Sequence, residues 1–242
     1  MTKAAGTLAA LLWLVIGVTL SFAESITVSD GMFDGWTFTS LVADGAPSNN
    51  YAVAEQITTD GTPAPAVLLT TYSYTNGYVV FGVALCSDFS WNPHTQGDIT
   101  TVRMNLDDKF VYWSQGWEGQ QALKIVAYQS GQYFFADGPL TPAGIGWQAV
   151  GTAAVSEGNF YLMDPANWWN TALHPDFSVT AAPLQFGFAA GNHISSTVTH
   201  YYDNWSLTLE HGDPVSTPVP STAILLGAGL WCLFGLRTKF HG

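Results

Sequence analysis

The clearest fold signal lies in residues 122–136, which are ALKIVAYQSGQYFFA. Successive side chains of a strand point to opposite faces, so Ile125 and Ala127 share one apolar face of an extended segment. Ser130-Gly131 then separates two β-rich runs, as in a tight hairpin turn. The stretch therefore predicts two antiparallel strands, Ala122–Tyr128 and Gln132–Ala136, joined by a short turn.

The same pattern extends over residues 24–212. Residues 199–209, THYYDNWSLTL, alternate in polarity, and turn signals such as Asp44-Gly45 and Asn76-Gly77 separate other short runs. The further predicted strands are Trp36–Leu41, Tyr51–Ile57, Ala66–Tyr72, Gly77–Cys86, Ile99–Leu106, Phe110–Ser114, Gly146–Gly151, Asn159–Met163, Leu184–Ala189 and Thr197–Leu209. No convincing amphipathic helix interrupts them. The pattern favours one all-β domain, a two-sheet antiparallel β-sandwich.

The amino-acid composition of the chain excludes some classes of protein. The chain of 242 residues is 48% hydrophobic and only 10% charged, which excludes a disordered, charge-rich polymer. All 18 acidic residues lie between Glu24 and Asp213, where the basic residues are only Arg103, Lys109 and Lys124. Such a surface repels phosphate backbones, so the sequence argues against nucleic-acid binding.

The N-terminus has the order of a secretory signal peptide, predicted over residues 1–23. Lys3 provides the positive start, Leu8–Leu20 is apolar, and Ser21-Phe22-Ala23 is a small-x-small cleavage site before Glu24. The alternative is an uncleaved membrane anchor. Either reading predicts an exported domain.

The C-terminus has three parts. Prolines stiffen the predicted spacer 213–222, and the predicted transmembrane helix with its basic tail follows over residues 223–242. Residues 223–236 carry no charge, and Arg237 and Lys239 come directly afterwards as a cytoplasmic stop. The apolar run is short for a bilayer, which needs about 20 residues. Residues 219–222 bring it near that length.

This C-terminal segment resembles a PEP-CTERM sorting signal, processed by exosortases, which are membrane cysteine transpeptidase-like enzymes of Gram-negative bacteria. The similarity covers about residues 215–239, and a valine stands where the family motif has glutamate. The matching motif residues are Pro218, Val219, Pro220, Ser221 and Thr222. The resemblance implies an exosortase-like partner, membrane attachment through the helix, and release into the cell envelope or extracellular matrix. A GPI signal or a plain single-pass anchor are the alternatives.

The body of the chain resembles laminin-G-like and concanavalin-like ectodomains, and jelly-roll carbohydrate-binding modules. The similarity rests on the opening segment 30–36, DGMFDGW, and the closing segment 202–207, YDNWSL. In such modules a structural calcium ion ties the first loop to the last strand. The resemblance implies Asp30, Asp34 and Asp203 as its ligands. Alternatively, Asp30 and Asp34 only shape turns, and Asp203 ends a strand.

Three tryptophans are candidates for a sugar-binding platform: Trp117, Trp168 and Trp169. Sugar rings stack on exposed indoles while nearby polar groups bind their hydroxyls. Trp168 and Trp169 cannot both point inward if that stretch is extended, so one of them is predicted to be exposed. Burial in the core is the alternative for all three. Trp36 and Trp205 are predicted core residues.

The other candidate residues are interpreted as structural and not as functional. Asp107-Asp108 lies between two predicted strands and is predicted to form a hairpin turn. Cys86 lies in an apolar run and is predicted to be a buried, inert thiol. No strand carries the paired carboxylates of a sandwich glucanase, and there is no Gly-x-Ser-x-Gly or His-Glu-x-x-His motif.

The sequence therefore predicts a non-enzymatic cell-surface or matrix protein whose molecular activity is unassigned. The alternatives are a carbohydrate-binding module for exopolysaccharide and a polysaccharide hydrolase.

Overall fold

The computed structural model describes residues 24–61, 64–74, 77–115, 119–142, 144–166 and 168–214. Twelve strands account for most of this part of the chain. They are Glu24–Asp30 (β1), Trp36–Val42 (β2), Tyr51–Ile57 (β3), Ala66–Ser73 (β4), Val80–Trp91 (β5), Ile99–Trp113 (β6), Ala122–Gln129 (β7), Gln132–Leu140 (β8), Gln148–Gly151 (β9), Phe160–Leu162 (β10), Leu184–Asn192 (β11) and Ser196–His211 (β12). The helical elements described are a four-residue helix, Pro93–Gln96 (α1), and a 3-10 turn, Glu157–Asn159.

The strands form two six-stranded sheets. Sheet A has the order β3-β4-β12-β6-β9, with β1 also paired to β12, and sheet B has the order β10-β8-β7-β11-β5-β2. Every strand pair is antiparallel. The all-β prediction of two antiparallel sheets is confirmed.

The predicted hairpin in residues 122–136 forms between β7 and β8. Gln129 pairs with Gln132, and the two turn residues, Ser130 and Gly131, have φ angles of 52° and 85°. Two successive positive φ angles are the signature of a type I′ turn, whose twist matches that of the flanking strands. Glycine adopts this conformation without a steric cost, which explains its position here.

The main core lies between the sheets and is rich in aromatic rings. Trp36 of β2 and Trp205 of β12 are both buried, as predicted, and their rings meet edge to face at 4.9 Å between centroids. Phe188 of β11 packs against Trp36 at 6.0 Å. Cys86 is also buried, and burial raises the pKa of its thiol, as expected for an unreactive core cysteine.

A second buried cluster covers the outer face of sheet B. It contains Phe81, Val83, Leu85, Val126, Phe135, Tyr161, Met163 and Ala189. Trp168, from the chain that follows β10, packs against this cluster. Part of this face of the sheet is therefore apolar, and the chain that follows β10 lies across it.

One prediction about strands is wrong, and one strand was not predicted. Asp107-Asp108 is not a turn, because β6 runs without interruption from Ile99 to Trp113. Asp108 is buried and meets His200 of the neighbouring strand at 2.7 Å, so a partner that is distant in sequence keeps this pair of acids inside a strand. The sequence also did not predict β1, which is mostly exposed and depends on its pairing with residues 205–211 of β12.

The predicted signal peptide, sorting motif and anchor fall in residues 1–23 and 215–242, outside the described residues. No helix within the described part of the chain has the length and apolar character needed to cross a bilayer.

Candidate binding groove

An open groove of about 430 Å³ lies on the outer face of sheet B. Its described lining consists of Lys124, Asp137, Tyr161, Trp169 and Thr171. The first three project from adjacent strands β7, β8 and β10, and the other two come from the chain after β10. A rigid sheet thus positions the charged groups, and a loop brings the tryptophan over them.

The indole of Trp169 is 43% exposed at this groove. Its neighbour Trp168 is half-buried and lies 6.3 Å from the ring of Phe81. One of the two tryptophans is therefore exposed, as predicted. The prediction assumed that an extended chain points successive side chains to opposite faces, and the structure shows a different cause. Trp169 has a φ angle of 62°, so the backbone is left-handed at this point and not extended.

Lys124 and Asp137 form an ion pair across the β7–β8 hairpin. The Lys124 Nζ atom lies 2.5 Å from Asp137 Oδ1, and the two residues are direct cross-strand partners. The Tyr161 hydroxyl donates to the same Oδ1 at 2.9 Å. Two donors thus hold one carboxylate oxygen in place.

The cation of the pair also contacts the indole. Lys124 Nζ lies 5.7 Å from the centroid of the Trp169 ring, within cation–π distance. Tyr161 meets the same ring edge to face at 5.6 Å. These contacts fix the orientation of Trp169 while almost half of its surface stays exposed.

The surroundings also set the protonation states in the groove. Desolvation pulls the pKa of Asp137 upward, but the Lys124 ion pair and the Tyr161 hydrogen bond outweigh it, and the net pKa lies below its usual value. Burial and the Asp137 charge raise the pKa of Tyr161. At neutral pH the groove therefore holds an ionised carboxylate and a neutral phenol that donates a hydrogen bond.

Four residues of the groove were not predicted from the sequence: Lys124, Asp137, Tyr161 and Thr171. A signal for the first two was present in the hairpin itself. Once Gln129 and Gln132 are paired across the turn, counting outward places Lys124 opposite Asp137. An opposite-charge pair at facing positions is a recognisable feature of an antiparallel ladder.

The predicted calcium ligands lie around the turn that follows β1. Asp30 ends β1, where its carboxylate accepts hydrogen bonds from Met32 N, Phe33 N and Trp36 Nε1 at 2.7–2.9 Å. The side chain of Asp203 approaches the same turn, because a Cβ added to Gly31 would lie 3.8 Å from its Oδ1.

Asp34 belongs to the same turn region, where it accepts a hydrogen bond from Gln56. Among the described residues, no three His, Cys, Asp or Glu side chains are grouped as a metal would require. A structural calcium ion at Asp30, Asp34 and Asp203 stays a prediction. Trp117 lies outside the described residues.

No protein-family model matches the chain, and no curated protein matches it. Among solved structures, the chain is similar to a xylan-binding module (CBM15), with 14% identity, coverage of 77% of this chain and 97% of that one, and a TM-score of 0.38. It is also similar to peanut lectin, with 11% identity, coverage of 77% and 98%, and a TM-score of 0.37.

A third similarity is to the enzymatically active domain of tailspike protein 4 of bacteriophage CBA120. The identity is 10%, the TM-score is 0.37, and the match covers 75% of this chain. The chain spans only 21% of the length of that tailspike domain.

Proposed function

We propose that this domain binds a polysaccharide in the groove around Trp169. The observation that carries the proposal is an indole that stays 43% exposed while Lys124 and Tyr161 hold its orientation. The apolar face of a sugar ring stacks on such an indole, and the hydroxyls of the sugar need polar partners beside it. Asp137 and Thr171 provide an acceptor and a hydroxyl in the same groove.

The single carboxylate of the described lining favours binding over hydrolysis. Glycosidases generally use two carboxylates about 5–10 Å apart, one on each side of the scissile bond. Asp137 is the only carboxylate in the described lining, and the Lys124 ion pair holds it ionised, which is unsuited to a proton-donating acid. We therefore propose a binding protein, not a hydrolase.

We further propose that the domain acts outside the cytoplasmic membrane. The predicted signal peptide over residues 1–23 and the sorting-signal resemblance of residues 215–239 support export. An exosortase-like enzyme would then process the tail near Pro218–Ser221, and the domain would meet polysaccharide in the cell envelope or extracellular matrix.

Replacing Trp169 with alanine is expected to weaken polysaccharide binding by about ten- to a hundredfold, since aromatic anchors contribute on the order of 1.4–2.8 kcal/mol. A glycan array of the full chain identifies the ligand, and isothermal titration calorimetry measures the affinity of each variant. Tyr112→Ala is the matched control, because Tyr112 is 52% exposed on sheet A, away from the groove. A blank array, or equal affinity of Trp169→Ala and the unmodified chain, contradicts the proposal.

The pH dependence of binding follows from Asp137. A carboxyl group whose pKa lies below the usual 3.8 stays ionised as the pH falls from 8 to about 4, so we expect a constant affinity over that range. At a pH below the usual pKa of an aspartate, Asp137 becomes protonated. The groove then loses its acceptor and its ion pair, and the affinity should fall. Titrations at a series of pH values check this. If the affinity already drops between about pH 7 and 5, a group other than Asp137 causes the loss of binding at low pH.

A further inference from the structure

From the charges of the groove we infer that it selects glycans free of carboxylate and sulfate groups. This inference rests on the proposed function and names the class of ligand. It depends on which charges in the groove remain available to a ligand and which are already neutralised within the protein.

The one cation of the described lining is not available to an anionic sugar. Lys124 is bound to Asp137 at 2.5 Å, and its side chain is only 11% exposed. The same Nζ atom lies beside the Trp169 ring, so its remaining surface faces an indole. An arriving carboxylate would have to displace Asp137 to reach this ammonium group.

The carboxylate, in contrast, is open to the groove. Its side chain is 73% exposed, and both of its contacts, from Lys124 and from Tyr161, fall on Oδ1. Oδ2 makes no hydrogen bond with the described residues and is free to accept from sugar hydroxyls. A hydroxyl donates to this oxygen, whereas a uronate or sulfate would place a second negative charge beside it, which is unfavourable.

The rest of the domain adds to this repulsion. Between Glu24 and Asp213 there are 18 acidic residues against three basic ones. Lys109 is bound to Asp60 at 2.6 Å, and Arg103 lies on β6 in the opposite sheet. No described cation outside the ion pair therefore lines the groove to compensate the charge of an anionic polysaccharide.

The experiment compares each glycan that the full chain binds with its uronate or sulfated counterpart, by calorimetry in about 50 mM salt. We expect the counterpart to bind at least about tenfold more weakly, and the difference to shrink in about 500 mM salt because salt screens the repulsion. Counterparts that bind within twofold overturn the inference while the proposed function stands. A glycan array with no bound sugar overturns the proposed function itself.

Asp137→Asn tests the residue assignment. Asparagine keeps the size of the side chain and removes the negative charge, so the preference for the neutral glycan should fall to about threefold or less. Glu55→Gln is the matched control, since Glu55 is an exposed acid on β3 of the opposite sheet, and its loss should leave the preference unchanged. An unchanged preference in Asp137→Asn would overturn the assignment to this groove.

Discussion

Replacing His200 with alanine is expected to lower the free energy of unfolding by roughly 3–5 kcal/mol. His200 is fully buried, and both of its ring nitrogens have partners: Nδ1 meets Asp108 Oδ1 at 2.7 Å, and Nε2 meets the Gly119 carbonyl at 2.9 Å. Alanine would leave the buried Asp108 carboxyl and this carbonyl without their partner, and urea denaturation measures the loss. A loss below about 1 kcal/mol would mean that water replaces both contacts.

Asp108→Asn is the control that separates charge from hydrogen bonding. The Gly119 carbonyl only accepts, so Nε2 carries a hydrogen, and a neutral histidine can then accept at Nδ1 from the asparagine amide. We expect a loss of about 1 kcal/mol, because both hydrogen bonds persist. Burial raises the pKa of Asp108, and His200 offsets part of that rise, so the uncharged replacement is well suited to this site. A loss as large as that of His200→Ala would contradict this reasoning.

Replacing Trp205 with alanine is expected to cost a further large share of stability, about 3–5 kcal/mol. Trp205 has no exposed surface, and its ring packs edge to face against Trp36 at the centre of the core. Alanine would leave a cavity that two rigid sheets cannot close. Thermal and urea denaturation of the chain measure the effect, and a change under about 2 kcal/mol would show that the sheets do collapse into the space.

Trp205→Phe distinguishes ring packing from the polar end of the indole. The Trp205 Nε1 atom is buried and has no hydrogen-bond partner among the described residues. Phenylalanine removes that unpaired N–H group and keeps an aromatic ring against Trp36. We expect a loss of only about 1–2 kcal/mol, from the smaller ring.

Local patterns in the sequence predicted the architecture well where the chain pairs with its neighbour. The β7–β8 hairpin follows from alternation and from Ser130-Gly131, which are local features. The errors occur where pairing with a strand that is distant in sequence determines the local conformation. Asp107-Asp108 has the composition of a turn, but pairing with β12 on one side and β9 on the other, together with the buried His200, keeps it extended.

In the groove, too, local features were predictable from the sequence and contacts between distant segments were not. The composition of residues 167–170 indicated an exposed tryptophan, and the hairpin register contains the Lys124–Asp137 pair. The contact of Asp137 with Tyr161 was not predictable, because it depends on the pairing of β10 with β8. The positions of Trp169 and Thr171 depend on how the chain after β10 folds back over sheet B. Its left-handed residue is Trp169, and no glycine or asparagine marks that position.

The pairing of β1 with β12 has a practical consequence. Glu24 lies directly opposite His211, so the first and last strands end side by side, about 5 Å apart at the backbone. A domain with adjoining ends can be spliced as a cassette into a surface loop of a host protein through linkers of a few residues. It can equally be rejoined through those ends and reopened at the exposed Ser130-Gly131 turn, as a circular permutant.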